Sequence, residues 1–114
     1  MTRYCLAVDL VNDPKSIAAY DEYHKNVWPE ILTSIADSGI VQMEIYRFEN
    51  RLFMIMETEP SFSFAQKAAM DAANPAVQRW EELMGVYQRA IPGAATGEKW
   101  SKMERVFTTF TNSN

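Results

Sequence analysis

Tyr4, Leu6, Val8 and Leu10 alternate with Cys5, Ala7 and Asp9 along residues 3–10, the period-two pattern of a strand with both faces partly covered. Asn12, Asp13 and Pro14 then supply a helix start, with Asp13 as N-cap and Pro14 in the first helical position. From there to residue 38 the apolar residues Ile17, Tyr20, Trp28, Ile31, Leu32 and Ile35 recur at helical spacing, and Gly39 ends the segment. Pro29 lies inside this span and predicts a kink or break near Val27 and Trp28. Two strand-like runs, residues 41–48 and 52–58, flank Glu49, Asn50 and Arg51 and predict a hairpin. The second run is apolar on both faces through Leu52, Phe53, Met54, Ile55 and Met56, which suits the centre of a sheet. Residues 61–73 read as a helix, and Asn74-Pro75 starts another that runs to about residue 90. A loop over 91–97 leads to a final strand within 100–110.

The resulting order, β-α-β-β-α-β, is the split βαβ or ferredoxin-like α+β arrangement: a four-stranded antiparallel sheet with its helices on one face. Such a sheet leaves its other face bare, and the strands here are apolar in both registers. Two protomers packing sheet face to sheet face would cover it, as in dimeric α+β barrels, so the pattern predicts a homodimer. The 114 residues are expected to form a single domain, with a disordered tail predicted at about 111–114. A hydrophobic fraction of 47% argues against general disorder. A net charge of −4 with no basic face argues against nucleic acid as a partner. The single cysteine, Cys5, sits in an apolar strand and reads as a buried thiol. No signal-peptide pattern and no apolar run near the ~20 residues of a membrane span are present, so a cytoplasmic protein is expected.

Candidate chemistry centres on the single histidine. On a helix Tyr20, His24 and Trp28 share one face, placing a phenol, an imidazole and an indole in a stripe. An ordinary imidazole titrates near pH 6.5 and suits proton transfer at neutral pH, although a lone histidine among aromatics more often serves structure. Scattered ligand types give no metal site, and four ungrouped glycines cannot build a phosphate loop. Neither the serines nor Cys5 have the partner pattern of a nucleophile. Proton transfer or simple binding remains. Trp80, with Val77 and Met84 at helical spacing, reads first as core, and Trp100 either closes over a cavity or anchors its loop. Glu44 and Glu57 interrupt apolar strands; each either faces solvent or, if turned into a pocket, serves as a proton donor.

Beyond these patterns, the chain resembles the L-rhamnose mutarotase family of small sugar epimerases. The resemblance is carried by Tyr20-x-x-x-His24, Trp28-Pro29-Glu30, Ile45-Tyr46, Met56-Glu57, Gln78-Arg79-Trp80 and the closing Glu104-Arg105-Val106-Phe107. It implies a dimeric ferredoxin-like fold and cofactor-free interconversion of the anomers of a 6-deoxy-L-hexose. It also implies that His24 is the proton donor and that Tyr20 and Trp80 bind substrate, and Trp28, Met43 and Glu81 are the further substrate-binding candidates, the Trp28 indole lying with Trp80 against the sugar. The chain has Met43 where L-rhamnose enzymes carry a sugar-contacting tyrosine, and Glu81 where they carry a second tryptophan. With Val41-Gln-Met-Glu-Ile45 and Lys67-Ala-Ala-Met-Asp71, these departures resemble the L-fucose branch and favour L-fucose over L-rhamnose.

Mutarotation needs an acid for the ring oxygen and a base for the anomeric hydroxyl. His24 fits the first role; Glu44, Glu57 and, more weakly, Tyr46 are the candidates for the second. Two other readings stand beside this one: an oxygenase of the dimeric α+β barrel class acting on an aromatic or polyketide-like substrate, and a sugar-binding module without catalysis.

Overall fold

The computed structural model describes residues 1–110, so the tail expected at 111–114 lies outside the described residues. The elements are β1 (Thr2–Leu10), α1 (Pro14–Tyr23), α2 (Pro29–Asp37), β2 (Ile40–Phe48), β3 (Arg51–Thr58), α3 (Phe64–Ala72), α4 (Pro75–Tyr87), β4 (Gln88–Arg89) and β5 (Ser101–Lys102). The sheet order is β2-β3-β1-β4, with β5 also on β1 and every pairing antiparallel. This is the ferredoxin-like α+β fold, with β3 in the interior of the sheet as its two-sided apolar pattern requires.

Local chemistry sets the boundaries. The Asp13 carboxylate accepts from the Ser16 amide at 3.1 Å and caps α1, with Pro14 following it. Ser63 and Asn74 cap α3 and α4 in the same way. Gly39, at φ 97°, turns the chain out of α2 in a backbone region that costs a glycine nothing. In the hairpin Glu49 takes φ 52°, and Asn50 donates its side-chain amide to the Leu10 carbonyl at 3.1 Å, tying the turn to the end of β1.

Two expectations are corrected. The helix after Asn74 stops at Tyr87 rather than near residue 90, because Gln88 and Arg89 pair with Leu10 and Asp9 on the open edge of β1. The strand expected within 100–110 is reduced to Ser101 and Lys102, opposite Ala7 and Leu6. The fourth strand position is thus filled by two short pieces from either end of one loop. A backbone bond from the Met103 amide to the Cys5 carbonyl, 2.7 Å, ends the pairing.

Register decides what each strand residue faces. Leu6, Val8 and Leu10 of β1 and Leu52, Met54 and Met56 of β3 turn toward the helices, joined across β2 by Met43 and Ile45. Two adjoining core clusters result. One gathers Val8, Leu10, Tyr20, Ile31, Leu52, Val77, Trp80 and Met84; the other gathers Leu6, Ile40, Met56 and Phe62. The opposite face carries Phe53, Ile55 and Ala7 beside Tyr46 and Phe48, which are 52% and 77% exposed. Ion pairs Arg3–Glu57 and Arg51–Asp9, at 3.2 and 2.8 Å, flank this apolar surface.

Candidate active site

The long helical segment breaks ahead of Pro29, but the break is wider than the expected kink near Val27 and Trp28: α1 ends at Tyr23 and residues 24–28 separate it from α2. Pro29 has no amide hydrogen and holds Trp28 in an extended conformation, φ −56° and ψ 135°. Tyr20 therefore lies in α1, His24 caps its C-terminus, and Trp28 stands at the N-terminus of α2. The single stripe expected of Tyr20, His24 and Trp28 does not form; Trp80 of α4 collects them instead. The Tyr20 ring stacks on His24 with centroids 4.2 Å apart, and the His24 ring meets Trp80 at 5.6 Å. Trp28 meets Trp80 edge-on at 5.0 Å.

Tyr20, His24 and Trp80 edge a cleft of about 670 Å³ between the helices and the sheet, in the usual size range for a small-molecule site. Tyr20, His24, Trp80, Met43 and Glu81 line it, all five anticipated from sequence. Trp28, expected to bind substrate, is not among the lining residues; it packs edge-on against Trp80 instead.

Glu44, Glu57 and Tyr46 need a correction. They pair with Ile55, Gln42 and Phe53 in the register that faces away from the helices, so all three lie on the opposite side of the sheet from His24. Glu57 is held there by Arg3. A strand alternates faces residue by residue, and one step of register separates the cleft from the open face.

His24 is held in one orientation. Its Nδ1 lies 2.9 Å from the Tyr20 carbonyl oxygen. A carbonyl only accepts, so Nδ1 carries the hydrogen and Nε2 is the nitrogen left for proton exchange. Tyr20 is buried, and burial pushes its phenol from 10.0 up to about 12, against the hydrogen bond from Gln88, which favours the phenolate. Tyr20 is therefore a neutral phenol at any physiological pH. Behind the site, Arg47 of β2 grips Asp21 of α1 through bonds of 2.7 and 3.0 Å, pinning the helix that ends at His24.

Sequence reasoning missed several lining residues. Gln88 was hidden at the end of an overlong helix. Lys102 was placed in a strand without a face, and lies 4.2 Å above the Phe64 ring. Lys67 and Asp71 form an ion pair of 2.5 Å inside the cleft; their four-residue spacing on a helix was the available signal. Trp100 lines the cleft rather than only anchoring its loop. Among the described residues no group of three His, Cys, Asp or Glu side chains gathers as metal ligands, and no helix is long and apolar enough to cross a membrane.

Fold and cleft define a small ferredoxin-like α+β protein whose pocket joins one imidazole to tryptophan walls. A family model described as L-rhamnose mutarotase matches residues 3–109. The L-fucose mutarotase of Xanthomonas campestris pv. campestris is 43% identical over 109 residues, spanning 94% of this chain and 87% of its own. The crystal structure of an L-rhamnose mutarotase from Formosa agariphila superposes with a TM-score of 0.71 at 22% identity, covering 96% of this chain and 100% of that one. Tetracenomycin F2 cyclase from Streptomyces glaucescens, a type-II polyketide cyclase, shares the fold at a TM-score of 0.61 and 19% identity, over 99% and 100% of the two chains. The fold alone thus accommodates unrelated chemistry, and sequence is what discriminates. The chain belongs to the L-rhamnose mutarotase family and is a carbohydrate isomerase, an epimerase with sugar mutarotase activity.

Proposed function

We propose that the protein interconverts the α and β anomers of L-fucose by acid–base ring opening, with His24 as proton donor and no cofactor. The observation that carries this reading is the orientation of His24. Its Nδ1 is occupied by the Tyr20 carbonyl, and its ring edges a cleft walled by Trp80. The imidazolium Nε2–H protonates the ring oxygen as the bond from that oxygen to C1 breaks, while a base removes the anomeric hydroxyl proton. The open-chain aldehyde forms, C1–C2 rotates, and reversal of the same transfers closes the ring on the other aldehyde face. No atom is gained or lost.

Two carboxylates line the cleft, Asp71 and Glu81. Asp71 is ion-paired with Lys67 through Oδ2, whereas Glu81 is next in sequence to Trp80, whose ring meets His24; Glu81 is the base in this scheme. Tyr20 contributes a neutral hydrogen-bonding phenol. Trp80 offers an apolar surface to the sugar's C–H face and deoxy methyl. L-Fucose is favoured by the 43% identity to an L-fucose mutarotase and by Met43 and Glu81 lining the cleft. The same reading includes a homodimer through the sheet face bearing Phe53, Ile55, Tyr46 and Phe48.

Saturation-transfer NMR on L-fucose and L-rhamnose, side by side, tests it. His24→Ala is expected to lower catalysed anomer exchange by at least ~10²-fold, the usual contribution of a positioned general acid, while retaining the wild-type circular dichroism spectrum. Wild-type exchange in that variant would remove His24 from the mechanism, and faster exchange of L-rhamnose would overturn the L-fucose assignment.

A further inference from the structure

The acid–base scheme leaves an ion pair of the cleft unused. Lys67 and Asp71 lie one turn apart on α3, and their side chains retain only 25% and 15% exposure. Both line the cleft. The Lys67 ammonium carries three hydrogens, and among the described residues its hydrogen-bond partner is Asp71 Oδ2. The second carboxylate oxygen, Oδ1, is buried and has no hydrogen-bond partner among the described residues. A partly buried ion pair with spare donors on one member and an orphaned acceptor on the other is incomplete, since unsatisfied polar groups away from water are costly.

Position adds to the argument. Phe64, one turn before Lys67, packs against Tyr4 and Phe62 in the second core cluster. His24 meets Trp80, which belongs to the first. The Lys67–Asp71 pair is carried by α3 and the imidazole by the end of α1, so the two reach the cleft from different elements. A pyranose whose anomeric end meets His24 presents the hydroxyls of its far side to other walls. Each hydroxyl both donates and accepts, and an ammonium beside a carboxylate supplies the matching pair of roles within the span of one vicinal diol.

We propose that Lys67 and Asp71 form the hydroxyl-reading clamp of this enzyme, holding the cis-3,4-diol of a 6-deoxy-L-galactose. Lys67 donates to one hydroxyl, and Asp71, pivoting slightly on its bond to Lys67, accepts from the other through Oδ1. The clamp binds ground state and transition state alike, so it governs substrate affinity and sugar choice rather than proton transfer. L-Fucose carries the cis-3,4-diol, whereas 6-deoxy-L-glucose, its C4 epimer, and L-rhamnose have that pair trans. The proposal rests on the cleft being the sugar site, and its test separates the two.

Lys67→Met keeps the length of the stem and removes the donors; Asp71→Asn keeps the shape and removes the charge. Anomer-exchange kinetics of wild type and both variants on L-fucose, L-rhamnose and 6-deoxy-L-glucose give KM and kcat separately. The expected result is a KM for L-fucose raised about tenfold or more in each variant, with kcat changed by less than about threefold. The preference for L-fucose over its C4 epimer should fall by a similar factor. A wild-type KM and preference in either folded variant, as judged by circular dichroism, would overturn the clamp. A kcat loss that dominates would assign the pair to the proton-transfer step and overturn it equally. If wild type exchanges L-rhamnose but not L-fucose, the L-fucose reading fails and the cis-3,4-diol assignment falls with it. In that case a raised KM for L-rhamnose in the variants would still show the pair contacting sugar.

Discussion

Tyr20 is the residue at which burial and chemistry meet most directly. It stacks on His24, offers its carbonyl to that ring, and keeps its own phenol protonated up to about pH 12. The folded state therefore holds the phenolic proton more tightly than the unfolded chain, whose ordinary value is 10.0. The stabilisation linked to this proton is complete below about pH 10 and is lost as pH rises toward about 12, on the order of 2–3 kcal/mol. Urea unfolding between pH 8 and 12 should show this alkaline loss in wild type and a much shallower one in Tyr20→Phe. Equal slopes would mean that the phenol titrates normally. At this scale the sequence was informative wherever spacing carried the signal, since four residues on a helix bring Tyr20 against His24 in any fold. It was uninformative for Glu44, Glu57 and Tyr46, because alternation along a strand says that two faces exist and not which one the helices cover.

The elements around the site are fixed by caps and breakers. Asp13 satisfies the first turn of α1, whose last turn ends at His24, so a surface cap and the imidazole are connected by ten helical residues. Asp13→Ala should cost about 1 kcal/mol, seen as a fall of a few degrees in the thermal midpoint, with a smaller effect on exchange rate than any cleft substitution. A collapse of activity at unchanged stability would instead place Asp13 in the chemistry. Pro14, Pro29, Gly39 and Asn74 were legible because each restricts the backbone by its own covalent structure or by a local hydrogen bond. The end of α4 was not legible. Tyr87, Gln88 and Arg89 continue a helix-compatible sequence, and only the open edge of β1, distant in the chain, draws Gln88 and Arg89 into the sheet. That same switch delivers Gln88 to the cleft beside Tyr20.

For the molecule as a whole, the sheet face away from the helices is an exposed apolar surface. Phe53 and Ile55 lie at its middle, with Tyr46 and Phe48 exposed beside them. Along the C-terminal segment Val106, Phe107 and Phe110 are also exposed, at 93%, 77% and 73%. The apolar strand residues of the sheet face, neighbours in register and flanked by the Arg3–Glu57 and Arg51–Asp9 ion pairs, are the usual mark of an association site. Sedimentation should therefore report a dimer for wild type. Tyr46→Lys, at a position half-exposed in the isolated protomer and thus tolerant of charge there, should shift it toward monomer. A monomeric wild type would dispose of the sheet-face dimer.

Sequence by itself determined the order of elements as far as α4, their caps and proline and glycine breaks, the aromatic and imidazole content of the site, and the family. Those depend on local periodicity, on covalent constraints at proline and glycine, and on motifs contiguous in the chain. Tertiary structure alone decided which strand face meets the helices, and so removed Glu44, Glu57 and Tyr46 from the cleft. It also brought Lys67, Asp71, Gln88 and Lys102 into that cleft and replaced the helical stripe by a cluster around Trp80. These outcomes turn on sheet register and on the meeting of segments far apart in sequence, where a shift of one residue exchanges the inside of the protein for the outside.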